Sequence, residues 1–323
     1  MDNRLTKRRL SDFLAYEWIL MIIIAIAAII VLEYGYSLAA TRLSVGQHFK
    51  YYFDEDVYSV DYNVKKLNDL LGVETGKNGK TFSYDVLSVE TENLTSSYNV
   101  LSVRLSAQQG DAIFTSSVEE EGKAVRVKSI IDDYSVYDMQ SLLKSAKEYL
   151  TKFVKDGGDI YNTDDYDENI IRNYFDVRMK GDNRYRTESE KEEGRKDEIV
   201  RITRLAKEVK DFETVMSVGD ERGLFYRYTR YEQLSAENPY DADFKRDYEQ
   251  EKAERENLVY GFNMAALTGG KKNVSEYLKI TGKDSAENVV LVLFDFSEYQ
   301  PDLQFEDVSF FNTLVREFSD ILG

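Results

Sequence analysis

Residues 18–32 form an unbroken apolar run, WILMIIIAIAAIIVL, in a chain whose remaining length is polar and acidic. As a helix this run would rise about 22 Å, which is less than the roughly 30 Å of a bilayer's hydrocarbon layer. The flanks can complete the span, and Tyr16, Tyr34 and Tyr36 match the aromatic belts of membrane interfaces. We therefore predict a transmembrane anchor over residues 17–40. The residues assigned to the anchor are Trp18, Ile22, Ile26, Ile30 and Leu32.

Basic residues are concentrated before the apolar run. Only Arg42 and Lys50 follow it closely, whereas four precede it, namely Arg4, Lys7, Arg8 and Arg9. Cytoplasmic flanks of membrane helices carry an excess of Lys and Arg, so residues 1–16 should be cytoplasmic and the rest extracellular. The sequence predicts a single-pass protein of the cell membrane that contacts the lipid bilayer through its amino-terminal helix.

Two alternatives to an uncleaved anchor have to be weighed. A cleaved signal peptide has the same basic start and apolar centre, and residues 37–40 (SLAA) offer small residues for a peptidase. Glu33 and Tyr34 interrupt the approach to that position, which favours the anchor. A buried core helix is the other alternative, but the rest of the chain is too polar to surround a helix that is apolar on every face.

The charge balance and the rarest residues exclude several functions. The chain has 42 Lys and Arg against 59 Asp and Glu, a formal net charge of −17, so it lacks the positive charge with which proteins bind nucleic acids. It has no Cys, which excludes disulfides, thiolate catalysis, thiolate metal sites and an amino-terminal lipid-modified Cys. The single His48 cannot form a His-based triad or a His-cluster zinc site. We predict no cofactor and no enzymatic activity.

The pattern after the anchor predicts an α/β fold. Residues 41–154 read as strand 49–58, helix 60–71, strand 82–89, a helix that stops at Gly110, and a short apolar strand after Asp111. Strands and helices that alternate with short links indicate a mainly parallel sheet with packed helices.

The remaining chain divides into an insertion and a return to the sheet. Residues 155–257 read as a charged helical insertion that includes an aromatic strand within 218–234. Residues 258–323 should complete the α/β ectodomain, with a helix at 274–280 and a closing helix at 309–322. The apolar run that follows Asn288, VVLVLFDF, is typical of a strand covered on both faces, and we expect it to pair with the first three strands.

The helix that ends in Gly110-Asp111-Ala112-Ile113-Phe114, and residues 128–134 followed by an amphipathic helix at 139–153, resemble the first lobe of extracellular solute-binding proteins of ABC importers. The resemblance covers residues 49–154 and, more faintly, the strand near Val289. In that family a helix ends at a glycine, an Asp follows, and a strand carries residues to the cleft between the lobes.

The resemblance implies candidate ligand-binding residues at Asp111, Phe114 and Ser116. It also implies a small solute as the ligand and a transporter permease or other envelope proteins as partners.

One acidic cluster, residues 164–169, invites a calcium interpretation. Asp165, Asp167, Asn169 and Asp176 have the offsets of an EF-hand loop, but Ile170 occupies the position that needs glycine. We interpret the cluster as the acid-rich amino terminus of a helix and predict no metal site, while the sequence leaves calcium binding there open.

Three functions are compatible with these features of the sequence. The first is a non-enzymatic, membrane-anchored extracytoplasmic protein, either an accessory or a divergent solute-binding component of an ABC-type importer. The second is a structural or scaffolding ectodomain that binds other proteins at the cell envelope. The third is a carboxylate-dependent extracellular hydrolase, which would require two close carboxylates in a deep groove.

Overall fold

The computed structural model describes residues 18–39, 48–54, 57–58, 67, 88–94, 98–107, 109–119, 125–182, 184–229, 258–280, 283, 285–295 and 305–323. The chain divides into two compact units, Met1–Arg42 and Leu43–Gly323. Most of the helix predicted at 60–71, and the charged segment at 241–257, lie outside the described residues.

The first unit contains helix α1, Trp18–Ala39. Its side chains are described over residues 22–32, and they are exposed, from 47 % at Ile22 to 71 % at Leu32. The segment whose side chains are described, residues 22–32, rises only about 16 Å as a helix. Within the fully described part of the chain, no helix combines the length and the apolar character needed to cross a membrane.

The second unit is built on a mixed β-sheet. In chain order the described strands are β1 His48–Phe53, β2 Val57–Tyr58, β3 Ser88–Asn93, β4 Ala112–Ser116, β5 Phe225–Tyr228, β6 Leu258–Asn263, β7 Lys279–Ile280 and β8 Val289–Leu293. Six of them form one sheet in the order β3-β1-β4-β8-β6-β5, and β2 pairs with β7.

The prediction of a mainly parallel sheet is wrong. β1 runs parallel to both β3 and β4, but the pairs β4–β8, β8–β6 and β6–β5 are antiparallel. The expected pairing of β8 with the first three strands is wrong for two of them: among the described strands before it in the chain, β8 pairs with β4 and β6, with Ala112 opposite Leu293 and Ser116 opposite Val289. An apolar strand that is buried on both faces has the same composition in either direction, so the sequence could not determine the direction of β8.

Helices cover both faces of this sheet. The described α-helices after α1 are α2 Tyr98–Ser106, α3 Arg126–Asp133, α4 Met139–Thr151, α5 Glu168–Arg178, α6 Glu188–Val218 and α7 Glu306–Phe318. The charged helices predicted in the middle of the chain are confirmed by α5 and α6. Thr187 begins α6 with a capping box, because its hydroxyl accepts from the Glu190 N–H and the Glu190 carboxylate accepts from the Thr187 N–H.

Alternate side chains of each strand enter two separate cores. On one face, Tyr51 of β1 and Phe114 of β4 contact Phe310 of α7, with ring centroids 5.5 and 6.3 Å away. On the other face, Tyr52 of β1 and Ile113 of β4 pack in the core that α2 and α3 cover.

The middle of the chain belongs to the same sheet and core. Strand β5 forms the edge of the sheet beside β6. Val209 and Phe212 of α6 are fully buried in the core that contains Phe310, and the Phe212 ring lies 5.9 Å from that of Phe311. Residues 184–229 are therefore packed into the α/β unit.

One predicted helix is wrong. Residues 274–280 form a single 3-10 turn, Val274–Glu276, followed by β7. The segment is too short to sustain a helix without packing in its favour, and Ile280 instead pairs with Val57 of β2. Strand β3 begins at Ser88, near the end of the predicted strand at 82–89, whose first residues lie outside the described part.

Candidate functional site

The order of the strands reverses at β1, because β3 lies on one side of it and β4 on the other. Leu67, from the helical position between β1 and β3, is buried on the face of α7, whereas Leu101 and Leu105 of α2 are buried on the opposite face. In open α/β sheets such a reversal leaves a crevice outside the carboxyl ends of the strands, where ligands bind. The candidate site is therefore the end of the sheet at which the carboxyl ends of β1 and β4 lie, and we name it the carboxyl edge of these two strands.

A buried charge pair occupies this edge. Asp54 directly follows β1 and is 2 % exposed. Its carboxylate accepts hydrogen bonds from Arg126 Nε at 2.7 Å and Arg126 Nη2 at 2.9 Å, and from the Thr115 hydroxyl at 2.8 Å. Two parallel bonds from a guanidinium fix both side chains, so this pair ties the beginning of α3 to the ends of β1 and β4.

Hydroxyl groups continue the edge beside the charge pair. The Ser116 hydroxyl oxygen accepts from the Val118 N–H at 3.1 Å, and the Ser117 hydroxyl donates to the Asn288 carbonyl at 3.3 Å. Asn288 adopts φ +66° immediately before β8. Ser116 is 2 % exposed and Ser117 is partly exposed, so of these two hydroxyls only that of Ser117 is open to a ligand.

Most of these groups are engaged with one another. The charges of Asp54 and Arg126 compensate each other, and Thr115, the hydroxyl bonded to Asp54, is fully buried. Nucleophilic catalysis needs a hydroxyl that can reach both a base and the substrate. The described residues of this edge hold no such combination.

The three residues proposed from the resemblance do not line one surface. Asp111 precedes β4 and Ser116 is its last residue, so the two residues lie at opposite ends of this strand. Phe114 is fully buried, with its ring stacked on that of Phe53 at 5.3 Å.

Gly110 has a packing role. It adopts φ +118°, and a Cβ at this position would lie 2.2 Å from Cε2 of Tyr52. The Tyr52 hydroxyl donates to the Gln109 carbonyl at 2.8 Å, which holds the ring beneath the glycine. The glycine therefore allows the chain to turn tightly over a buried ring as it enters β4.

Gly110→Ala should lower the free energy of unfolding by about 2–5 kcal/mol, from about 1–2 kcal/mol of backbone strain and about 1–3 kcal/mol of overpacking. Gly157→Ala is the matched control, because Gly157 has φ +76° with nothing within 4 Å of a new Cβ. Urea unfolding followed by circular dichroism measures both variants. Equal losses in the two variants would contradict the role assigned to the Tyr52 contact.

Carboxyl groups gather at the opposite end of β4. Asp111 is 5 % exposed, and its Oδ2 accepts from the Lys50 N–H at 2.6 Å. Asp307, in the first turn of α7, interacts electrostatically with Asp111, Glu306 and Asp295. Its Oδ1 atom is buried and has no hydrogen-bond partner in the described part of the chain.

The carboxyl cluster is defined as Asp111, Asp295, Glu306 and Asp307, and burial raises the pKa of two of its members, Asp111 and Asp307. Desolvation raises the pKa of Asp111 to about 7, although the Lys50 N–H lowers it. Desolvation, followed by the charges of Asp111, Glu306 and Asp295, raises the pKa of Asp307 well above its ordinary value. A carboxyl with a raised pKa is a usual general acid, but Asp111 and Glu306 are only 5 % and 4 % exposed, so substrate has no access to them.

The acidic cluster at residues 164–169 has structural partners. Asp167 is the N-cap of α5, where its carboxylate accepts from the Asn169 N–H at 2.9 Å. Asp165 accepts from the Asp159 N–H at 3.0 Å, and Asp176 forms a two-bond ion pair with Arg195. No cluster of three or more acidic or His side chains among the described residues is arranged to hold a metal ion.

Sequence reasoning missed Asp54, Arg126 and Asp307. An acid that directly follows the buried strand FKYYF is a signal that could have indicated Asp54. The other two offer no comparable signal, because Arg126 is 72 residues from its partner and Asp307 reads as an ordinary helix-start acid.

Comparisons with protein-family models, with curated proteins and with solved structures find no match for this chain. The likeness to solute-binding proteins therefore remains a prediction that rests on the residues quoted for it.

Proposed function

We propose that this chain is a non-enzymatic, membrane-anchored extracytoplasmic protein that acts as an accessory or divergent solute-binding component of an ABC-type importer. The observation that carries the proposal is the reversal of strand order at β1, with Asp54, Ser117 and Arg126 at the edge where open α/β sheets bind ligands. The partner would be a permease or another envelope protein.

The proposed anchor is supported by the amino-terminal sequence and by α1. The apolar run at 18–32 is preceded by basic residues. Ile22, Ile26, Ile30 and Leu32 are each at least 47 % exposed within the chain. A helix that is apolar on all sides needs an apolar medium, which a bilayer supplies. The proposed orientation, with the carboxy-terminal unit outside the cell, rests on the positive-inside bias.

A solute that occupies the crevice should raise the melting temperature of the protein. At one hundred times its dissociation constant, a ligand that binds only the folded state adds about 2.7 kcal/mol of stability. The full chain in neutral-lipid nanodiscs would be screened against sugars, amino acids and short peptides by circular dichroism melting. We expect one solute class to produce a reproducible, concentration-dependent shift.

Ser117→Phe should abolish that shift by filling the open side of the crevice, whereas Ser217→Phe, at an exposed position of α6, should leave it intact. A panel without any shift, from protein shown to be folded, would refute solute capture for the classes tested.

The scaffolding alternative is favoured by one feature of α5. Ile170 and Val177, seven residues apart on the same side of the helix, are 40 % and 77 % exposed. Apolar side chains that share an exposed helix face are typical of protein contact sites. A negative solute panel would direct attention to this face.

A further inference from the structure

A pocket of about 530 Å³ lies between the end of α5 and the beginning of α6. It includes Phe175, Met179 and Tyr185, together with charged side chains on its rim. Its volume falls within the roughly 300–1,000 Å³ of small-molecule sites. None of its lining residues belongs to the candidate site at the carboxyl ends of β1 and β4, so nothing in the proposed function depends on it.

The floor of the pocket is apolar and held in place by close packing. Phe175 is 2 % exposed and Met179 is 6 % exposed. The Tyr185 ring meets the Phe175 ring edge-on, with centroids 4.9 Å apart. Both rings lie against Gly194 of α6, where a Cβ would be 2.3 Å from Phe175 and 2.6 Å from Tyr185. The glycine therefore allows the rings to form a floor directly on α6.

The acids on the rim are already neutralised. Asp176 receives two bonds from Arg195, at 2.9 and 3.1 Å. Asp182 is held by Arg184, whose Nη2 lies 2.7 Å from Oδ2. Burial alone would raise the pKa of Asp182, but the bonds from Arg184 outweigh it and keep that pKa below its usual value. Neither carboxylate is left to attract a further cation.

The remaining cations on the rim are only partly compensated by carboxylates. Lys180 and Arg186 are exposed, and neither side chain forms an ion pair among the described residues. The Glu190 carboxylate accepts from the Arg186 N–H at 2.9 Å and interacts with the Arg186 charge at longer range. Within the same part of the chain, the carboxylate contact of Lys191 is with Glu188 at 4.0 Å. On a chain of net charge −17, the long-range field would repel anions. Two exposed cations whose side chains lack a close ion pair, above an apolar floor, therefore mark one place where an anion can be held.

We propose that this pocket binds a small organic anion. Its apolar or aromatic body packs on Phe175 and Tyr185, and its carboxylate or phosphate pairs with Lys180 and Arg186. Arg and Lys side chains form ion pairs with carboxylates and with phosphates. The apolar floor selects against inorganic anions, which have no surface to bury there.

The test uses 3-phenylpropionate and phenyl phosphate as probes, with the full chain in neutral-lipid nanodiscs and ligand-observed NMR. We expect saturable binding of at least one probe, beyond that of empty nanodiscs. The double variant Lys180→Gln/Arg186→Gln should weaken binding about tenfold, because it removes both cations that pair with the anionic group. Binding should also weaken severalfold between 20 and 500 mM salt, because added salt screens the attraction between the exposed cations and the anion.

Two controls separate the pocket from general charge effects. Lys207→Gln/Lys271→Gln removes the same charge at exposed positions outside the pocket and should leave the affinity unchanged. The uncharged 3-phenylpropionamide should bind at least tenfold more weakly than the acid. The proposal is overturned if neither probe saturates, if the amide binds as tightly as the acid, or if the two double variants behave alike. Because Lys180 and Arg186 are exposed, melting curves of the pocket variant should match those of the unsubstituted protein.

Discussion

Asp307→Asn should stabilise the protein at pH 8 and flatten the dependence of its stability on pH. Asp307 has a buried Oδ1 atom without a hydrogen-bond partner, and it interacts with the carboxyl groups of Asp111, Glu306 and Asp295. Its position in the first turn of α7 favours the charged form by only about 0.3–1 kcal/mol. The Asp307 residue as a whole is half-buried, but desolvation of the carboxyl and the charges of its three carboxyl neighbours raise its pKa well above the ordinary value. These effects outweigh the helix dipole.

The direction of the pH effect follows from the raised pKa values. The unfolded chain releases these protons near pH 3.8, whereas folded Asp111 releases its proton near pH 7 and Asp307 well above the ordinary value. The folded state therefore binds more protons than the unfolded state above pH 4. Stability from this cluster is complete below about pH 4 and declines as the pH rises through 7, by at most about 1.4 kcal/mol per pH unit for each retained proton.

Urea unfolding of the full chain at pH 5, 6, 7 and 8 measures this effect. Asp320→Asn is the control, because the Asp320 side chain is 54 % exposed and paired with Arg222. Asp111 and Asp307 interact, so they titrate as a coupled pair. Asp111→Asn removes one of the charges that raise the pKa of Asp307 and should therefore lower that pKa. A pH slope in Asp307→Asn equal to that of the unsubstituted protein would show that the cluster does not control stability.

Glu198→Gln should be among the most destabilising single substitutions in the α5–α6 region. Glu198 is 2 % exposed and lies between two cations, with Arg178 Nη2 at 2.6 Å and Arg201 Nη2 at 2.8 Å. Arg201 also donates to the Tyr149 hydroxyl at 2.7 Å, which links α6 to α4. Removing the carboxylate leaves two buried guanidinium groups, and breaking a buried pair costs about 3–5 kcal/mol. That is a large part of the roughly 5–15 kcal/mol by which domains are stable.

The chain offers a close control for this substitution. Glu192 pairs with Arg172 at 2.9 Å over the same separation of 20 residues, but its side chain is 40 % exposed. Glu192→Gln should therefore cost no more than about 1 kcal/mol. The double variant Glu198→Gln/Arg178→Met should be more stable than Glu198→Gln alone, because it removes one of the stranded cations. Similar losses for Glu192→Gln and Glu198→Gln in urea unfolding would contradict this account of the buried pair.

Local sequence signals were sufficient where an element depends on its own residues. The amphipathic spacing of 139–153 predicted α4, Met139–Thr151, and the acid-rich start at Asp167 predicted the beginning of α5. The apolar run after Asn288 predicted β8, and all five of its residues are buried. In each case the signal, which is a helical period, a cap or an apolar run, comes from residues that are neighbours in the chain.

Only the tertiary structure decided the direction of β8, the pairing of β7 with β2, and the partners of Asp54 and Asp307. Strand direction leaves no mark in an apolar sequence, and a two-residue strand such as β7 exists because β2 is beside it. Asp54 and Arg126 are distant in the chain but adjacent in space. The sequence by itself determined the apolar run, the acidic surface and the alternation of elements, because hydropathy and periodicity are local, whereas charge pairing and proton affinity depend on which distant groups folding buries together.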